Sequence, residues 1–161
     1  MTSTDTTMNA ITEAVALGRT GQREAARTAL GEIWISLGPS GDPLHRCTLA
    51  HYLADLQDDA AQALAWDIRA VDAAHALTDE RARHHDPNLD VRGFYPSLHL
   101  NLADNYRRLG SFEAARHEID AARTHLHALG DDGYGALIRT AVDEVAAAID
   151  ARDTTVRATA P

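Results

Sequence analysis

The sequence predicts an all-α fold of about seven helices folded back as antiparallel pairs, and three observations lead there. Apolar residues recur at spacings of three and four along most of the chain. Clusters of Gly, Pro, Asp and Ser interrupt that pattern at intervals short enough to act as turns. Aromatic residues make up only 5% of the chain while alanine is abundant. A core of small side chains at close approach suits helix on helix and argues against a β-sandwich. At 161 residues the chain has room for one domain with a sizeable core.

The elements follow in order. Residues 1–7 are rich in Thr and Ser and read as a disordered tail, ahead of a single helical domain over residues 8–151. Ile11, Ala14, Val15 and Leu17 define the first helix, Gly21 turns the chain, and Ala26, Leu30, Ile33, Trp34 and Leu37 define the second. LGPSGDP (37–43) breaks the pattern, and Asp42 before Pro43 reads as an N-cap with proline at the first helical position. A third helix then runs to about Gln57. Asp58 and Asp59 turn into a fourth, Ala60 to roughly Arg83. Leu64, Ile68, Val71 and His75 share one of its faces and Trp66, Ala70, Ala73 and Leu77 another, a pattern for packing on both sides. HHDPNLDVRGFYP (84–96) reads as a loop. Pro96 opens a fifth helix that ends at Gly110, and a sixth closes at Gly130. The seventh carries Leu137, Ile138, Ala141, Val142, Val145 and Ile149 on one stripe, and 152–161 is a polar tail.

Composition narrows the function classes. The net charge is −9, and all 15 cations are arginine. Without lysine there is no Schiff-base lysine and no phosphate-loop lysine. An acidic chain with no basic stretch is poorly suited to neutralising nucleic-acid phosphates. Nowhere do about 18 consecutive apolar residues occur, and the first residues lack the basic and apolar segments of a signal peptide. A single cysteine fits a reducing compartment. The expectation is a cytoplasmic protein with no membrane contact. Phosphate-loop, nucleophile-elbow, HExxH, CxxC and dinucleotide-binding patterns do not occur, and no cofactor is implied.

Aligned on their turns, the helix pairs show a repeat. Leu102, Ala103, Tyr106, Gly110, Phe112, Ala115, Ile119 and Ala122 fall at a spacing that resembles the tetratricopeptide repeat (TPR). Small residues there let two helices cross closely, and large ones fill beside the crossing. Ala14, Leu17, Gly21, Ala26, Leu30 and Ile33 match more loosely. In the middle unit Asp58 takes the place of the turn glycine and Ala63 and Ala70 match, yet Asp67 occupies an apolar position. A register moved by one uses Leu49, Ala50, Leu53 and Trp66 instead. The resemblance covers about residues 8–130 and implies an α-solenoid of about three antiparallel helix pairs plus a C-terminal capping helix. It also implies a non-catalytic adaptor that binds a peptide or protein segment in a groove lined by the first helix of each pair. Carried over to the best unit, the groove positions are Ser97, Leu100, Asp104, Arg107 and Arg108. The lysine of carboxylate-clamp members is missing, and Asp104 stands where their asparagine would.

One segment, HRCTLAHY (45–52), poses the chemical question most sharply. Cys47 and His51 are four apart and share a helical face, while His45 lies about 200° round the helix from Cys47. Zinc needs three or four ligands, so His99 on the fifth helix is the third candidate. The competing account makes Cys47 a packing residue with His51 hydrogen-bonded beside it. His45, Thr48 and Tyr52 form the opposite stripe, a groove wall or a solvated face. In RGFYP (92–96), Phe94 and Tyr95 either plug the irregular second unit or form a lid with Arg92 meeting an anion. The expected contacts are thus Tyr52, Arg92, Tyr95, Leu100, Asp104 and Arg107. The alternative is a small-ligand or metal-binding protein, in which an enzyme is included, using Cys47, His51 and His99 between helices three and five. Self-association as a homodimer is a third reading.

Overall fold

The computed structural model describes residues 5–78, 81, 84 and 91–157. Within them the fold is all-α, with seven α-helices and no strand. No described helix is long and apolar enough to cross a membrane. The chain divides into two compact units, residues 1–91 and 92–161.

The first unit holds α1 (Thr6–Arg19), α2 (Arg23–Leu37), α3 (Pro43–Asp55) and α4 (Ala60–Ala76). Three of the four starts are chemically marked. The carboxylate of Asp5 accepts from Met8 N, that of Asp42 from Leu44 N, and that of Asp59 from Ala61 N, so three helices begin with a side-chain cap. α1 with α2 and α3 with α4 form tightly connected hairpins, and α3 also packs on both α1 and α2. Its core includes Ile11, Ala14, Ala26, Leu30, Leu49, Ala50, Leu53, Ala70 and Ala74, all buried.

A 3-10 turn, Val91–Gly93, spans the boundary between the units in sequence, and the second unit continues with α5 (Tyr95–Arg108). α6 (Phe112–His125), a 3-10 turn (Leu126–Ala128) and α7 (Gly133–Asp150) complete it. α7 packs across both helices of the α5–α6 hairpin. The resulting core joins Leu100, Ala103, Ala115, Ile119 and Ala122 to Ile138, Val142, Val145 and Ile149. Arg139 of α7 folds back and donates to the carbonyls of Leu126, Leu129 and Gly130, which caps the preceding turn.

The two glycine turns are built alike. Gly21 and Gly110 have φ of 88° and 76°, and the amides of Gln22 and Ser111 reach back to the carbonyls of Leu17 and Tyr106. This is the Schellman closure, which needs a left-handed residue that glycine adopts without strain. Nothing lies within 4 Å of a Cβ added at Gly110. Gly110→Ala is therefore expected to cost about 1 kcal/mol through backbone strain alone. Urea denaturation of the variant measures it. α7 ends in the same way with Arg152 at φ 53°, its guanidinium 4.6 Å over the Phe112 ring.

Several expectations change. α1 begins at Thr6, because Asp5 caps it, so residues 5–7 belong to the fold; residues 1–4 lie outside the described ones. α4 ends at Ala76, where Leu77 turns extended, instead of near Arg83. Of its two expected faces Val71, Ala70, Ala73 and Leu77 are buried, and Ala63, Asp67 and Ala74 join them, while Ile68 is 47% exposed. Leu137 faces out because Ile138, one position on, takes the core side of α7. RGFYP is a 3-10 turn and a helix start, and residues 85–90 of the expected loop lie outside the described residues. The last stretch is tied down: Asp153 O accepts from Arg107, and Arg157 pairs with Glu144 at 2.5 Å; residues 158–161 are outside the description.

Candidate functional site

In the first unit HRCTLAHY forms the middle of α3, and nearly every residue has a local task. His45 is buried, its Nε2 2.9 Å from Asp5 Oδ2, while Arg81 Nε donates to Asp42 at 2.6 Å and its NH2 approaches Asp5 at 3.5 Å. Burial opposes ionisation of Asp5, but the hydrogen bonds from His45 and Met8 outweigh it and hold the carboxyl below its usual range. His45 is thus a buried clasp on the α1 cap and not a groove wall.

Cys47 is buried, and desolvation pushes its thiol up to about 12. At neutral pH it is a protonated, apolar filler, unsuited to nucleophilic attack. Native Cys47 is expected to escape iodoacetamide and to react once urea unfolds the chain, which a mass-spectrometric time course reads directly. His51 shares its helix and tilts against Tyr52, ring centroids 5.5 Å apart. Among the described residues no group of three or more His, Cys, Asp or Glu is placed to hold a metal ion. Cys47 and His51 belong to the first unit and His99 to the second.

Tyr52 lines a cleft of about 200 Å³ where α1, α2 and α3 meet. Val15, Gly18, Ala26, Leu30 and Leu56 give it an apolar floor, and Arg19, Arg23 and Asp55 stand with Tyr52 around it. Gly18 sits at the α1–α2 crossing, where an added Cβ would come within 3.4 Å of the Ala26 Cβ. Arg23 reaches Asp58 at 3.1 Å, and Arg27 donates to Leu56 O, which fixes the end of α3. Desolvation raises the Asp55 carboxyl, with positive charge on His51 and Arg23 pulling the other way. Arg19, Arg23 and Asp55 were not singled out from sequence. The available signal was their position, since two arginines flanking a turn glycine are brought to one rim by the hairpin.

In the second unit the expected contacts divide sharply. Arg92 is exposed in the 3-10 turn. Leu100 is a core residue. Arg107 is fully enclosed: Nε donates to Asp104 Oδ1 at 2.9 Å, NH2 lies 2.8 Å from the same oxygen, and NH1 donates to Asp153 O at 2.6 Å. Asp104 and Arg107 are therefore brought together, as partners in an internal pair and not on an open wall.

Tyr95 is half-buried in a ring stack. His99 and His125 lie parallel within 6° at 5.7 Å, and Tyr95 sits 6.0 Å from the first and 5.1 Å from the second. Glu118 Oε2 is 2.7 Å from His99 Nδ1, which leaves Nε2 as the nitrogen for any other chemistry. Desolvation, with His99 and His127 nearby, lowers the pKa of His125, so it is neutral at neutral pH. Sequence reasoning picked Tyr95 and His99 but missed Glu118 and His125, which only the hairpin brings opposite them.

Comparison of the chain with protein-family models, with curated proteins and with solved structures finds no match.

Proposed function

We propose that the chain is a cytoplasmic TPR-like adaptor that binds a protein or peptide segment without catalysing a reaction, and that the cleft at Tyr52 is one of its anchoring sites. The observation that carries this reading is the size and lining of that cleft. About 200 Å³ is below the roughly 300–1,000 Å³ of small-molecule sites and is the size of one large side chain. An apolar floor with a tyrosine, two arginines and a carboxylate at the rim resembles the pockets that receive anchor residues of a partner. The matching turns at Gly21 and Gly110 support the repeat, since two sequence-distant hairpins close with the same hydrogen bond. Stacked pairs of that kind form extended binding surfaces.

The test is selection of random peptides displayed on phage against the immobilised protein, repeated with a Tyr52→Ala, Arg19→Glu double variant. A peptide consensus that the variant no longer enriches supports the reading. Absence of any consensus, or one retained by the variant, overturns it.

Glu118 orients His99 as carboxylates orient metal-ligating histidines, and that single ligand is the observation behind a second, metal-binding reading for the other unit, whose remaining ligands the described residues do not supply. Metal content of untagged protein by mass spectrometry decides it. Near-stoichiometric metal that disappears in His99→Ala would establish the site, and metal-free protein whose melting does not shift with added zinc, copper or nickel would dismiss it.

A further inference from the structure

A second feature of the first unit shares no residue with the Tyr52 cleft. Trp34 of α2 and Trp66 of α4 meet edge to face, centroids 5.1 Å apart at 82°. Arg46 of α3 lies 4.1 Å over the Trp34 ring, and Arg69 of α4 lies 4.4 Å over the Trp66 ring. The four side chains alternate as Arg46, Trp34, Trp66, Arg69. Trp66 and Arg69 are neighbours on α4 by their spacing of three, and Trp34 is delivered across the α2–α4 junction.

Arg23, Arg27, Arg81, Arg107, Arg116, Arg123 and Arg157 all pair with carboxylates. Arg46 and Arg69, like Arg19, Arg139 and Arg152, form no ion pair among the described residues, and of these only Arg46 and Arg69 lie over indole rings. Arg46 spends one N–H on Gly38 O, and Arg69 is exposed. A guanidinium seated over a ring retains N–H groups for a partner and loses rotamer freedom in advance, so capturing a carboxylate costs it less ordering. Ile35, beside Trp34 in sequence, is 79% exposed. Tryptophan and arginine are the residues most enriched where binding energy concentrates.

We infer that the Arg46–Trp34–Trp66–Arg69 ladder is a docking surface for an acidic peptide segment, whose carboxylates take the two guanidinium edges while an apolar side chain rests against the indoles. Charge complementarity selects this partner. Two cations with aromatic surface between them match a short segment with a few carboxylates and apolar residues. A nucleic acid binds through many phosphate contacts, and two guanidinium groups supply too few of them.

The chain's only two tryptophans are the two in the ladder, so emission excited where tyrosine does not absorb reports on this surface. The probe is a synthetic peptide alternating Glu and Leu, titrated against the full chain, with a Gln/Leu peptide of equal length alongside. The expected result is a saturable change in tryptophan emission with the Glu/Leu peptide and none with Gln/Leu. Isothermal titration of Arg69→Gln, an exposed change that keeps the fold, should show affinity reduced about tenfold. Tyr52→Ala should bind as the parent does, which separates this surface from the cleft. Unchanged emission, equal response to Gln/Leu, undiminished binding by Arg69→Gln, loss in Tyr52→Ala, or tighter binding of a single-stranded RNA would each overturn the inference.

Discussion

Arg107→Ala is expected to lower the unfolding free energy by about 3 kcal/mol, the lower end of the range for breaking a buried ion pair. The guanidinium is wholly enclosed and makes three contacts, two to Asp104 and one to Asp153 O. Alanine leaves a void, releases the Asp153 carbonyl and removes the cation beside Asp104. Asp104 retains side-chain exposure of 25%, so water can partly re-solvate it, which places the loss at the lower end. Urea denaturation followed by circular dichroism gives the number. Arg107→Lys should recover little, because an ammonium cannot reproduce the planar fork that spans carboxylate and carbonyl. A loss below about 1 kcal/mol, the level of exposed pairs, would show that the enclosure is not maintained in solution.

Ile119→Ala should cost a similar amount, about 3 kcal/mol, for an unrelated reason. Ile119 is fully buried in the core shared by α5, α6 and α7, where alanines at 103, 115 and 122 already bring the backbones together. With Ala103 and Ala115 at the crossing, the helices have little room to collapse into the space vacated, so the cavity term persists. The same denaturation experiment measures it, and a loss under about 1 kcal/mol would mean that the hairpin relaxes.

Element order and most boundaries were legible because they depend on local chemistry. Asp42 before Pro43, the aspartates at 58 and 59 and the glycines at 21 and 110 act on their own neighbours, and the helices start and stop there. Faces were less legible. His45 and Asp67 are buried and Ile68 and Leu137 exposed, against polarity, because burial depends on which partner arrives from elsewhere. The Asp5 that satisfies His45 is 40 positions away. The same holds for the sites. Tyr52 could be picked from its stripe, whereas Arg107, chosen as a groove residue, is claimed by a chain segment 46 positions on. The i, i+3 spacing of Asp104 and Arg107 hints locally at their ion pair but not at the contact with Asp153.

The alanine crossings have a thermodynamic consequence. Alanine surrenders no side-chain rotamer entropy on folding, whereas a buried leucine or isoleucine gives up about 0.5–1 kcal/mol. A hairpin that meets through Ala103, Ala115 and Ala122 therefore orders its seam at little entropic cost, and the seam has no alternative rotamers to repack into. Its response to load is a change in helix separation. Substitutions there should act on the spacing between α5 and α6 as a unit, and the shape the surface presents would be tuned by the volume of a single side chain.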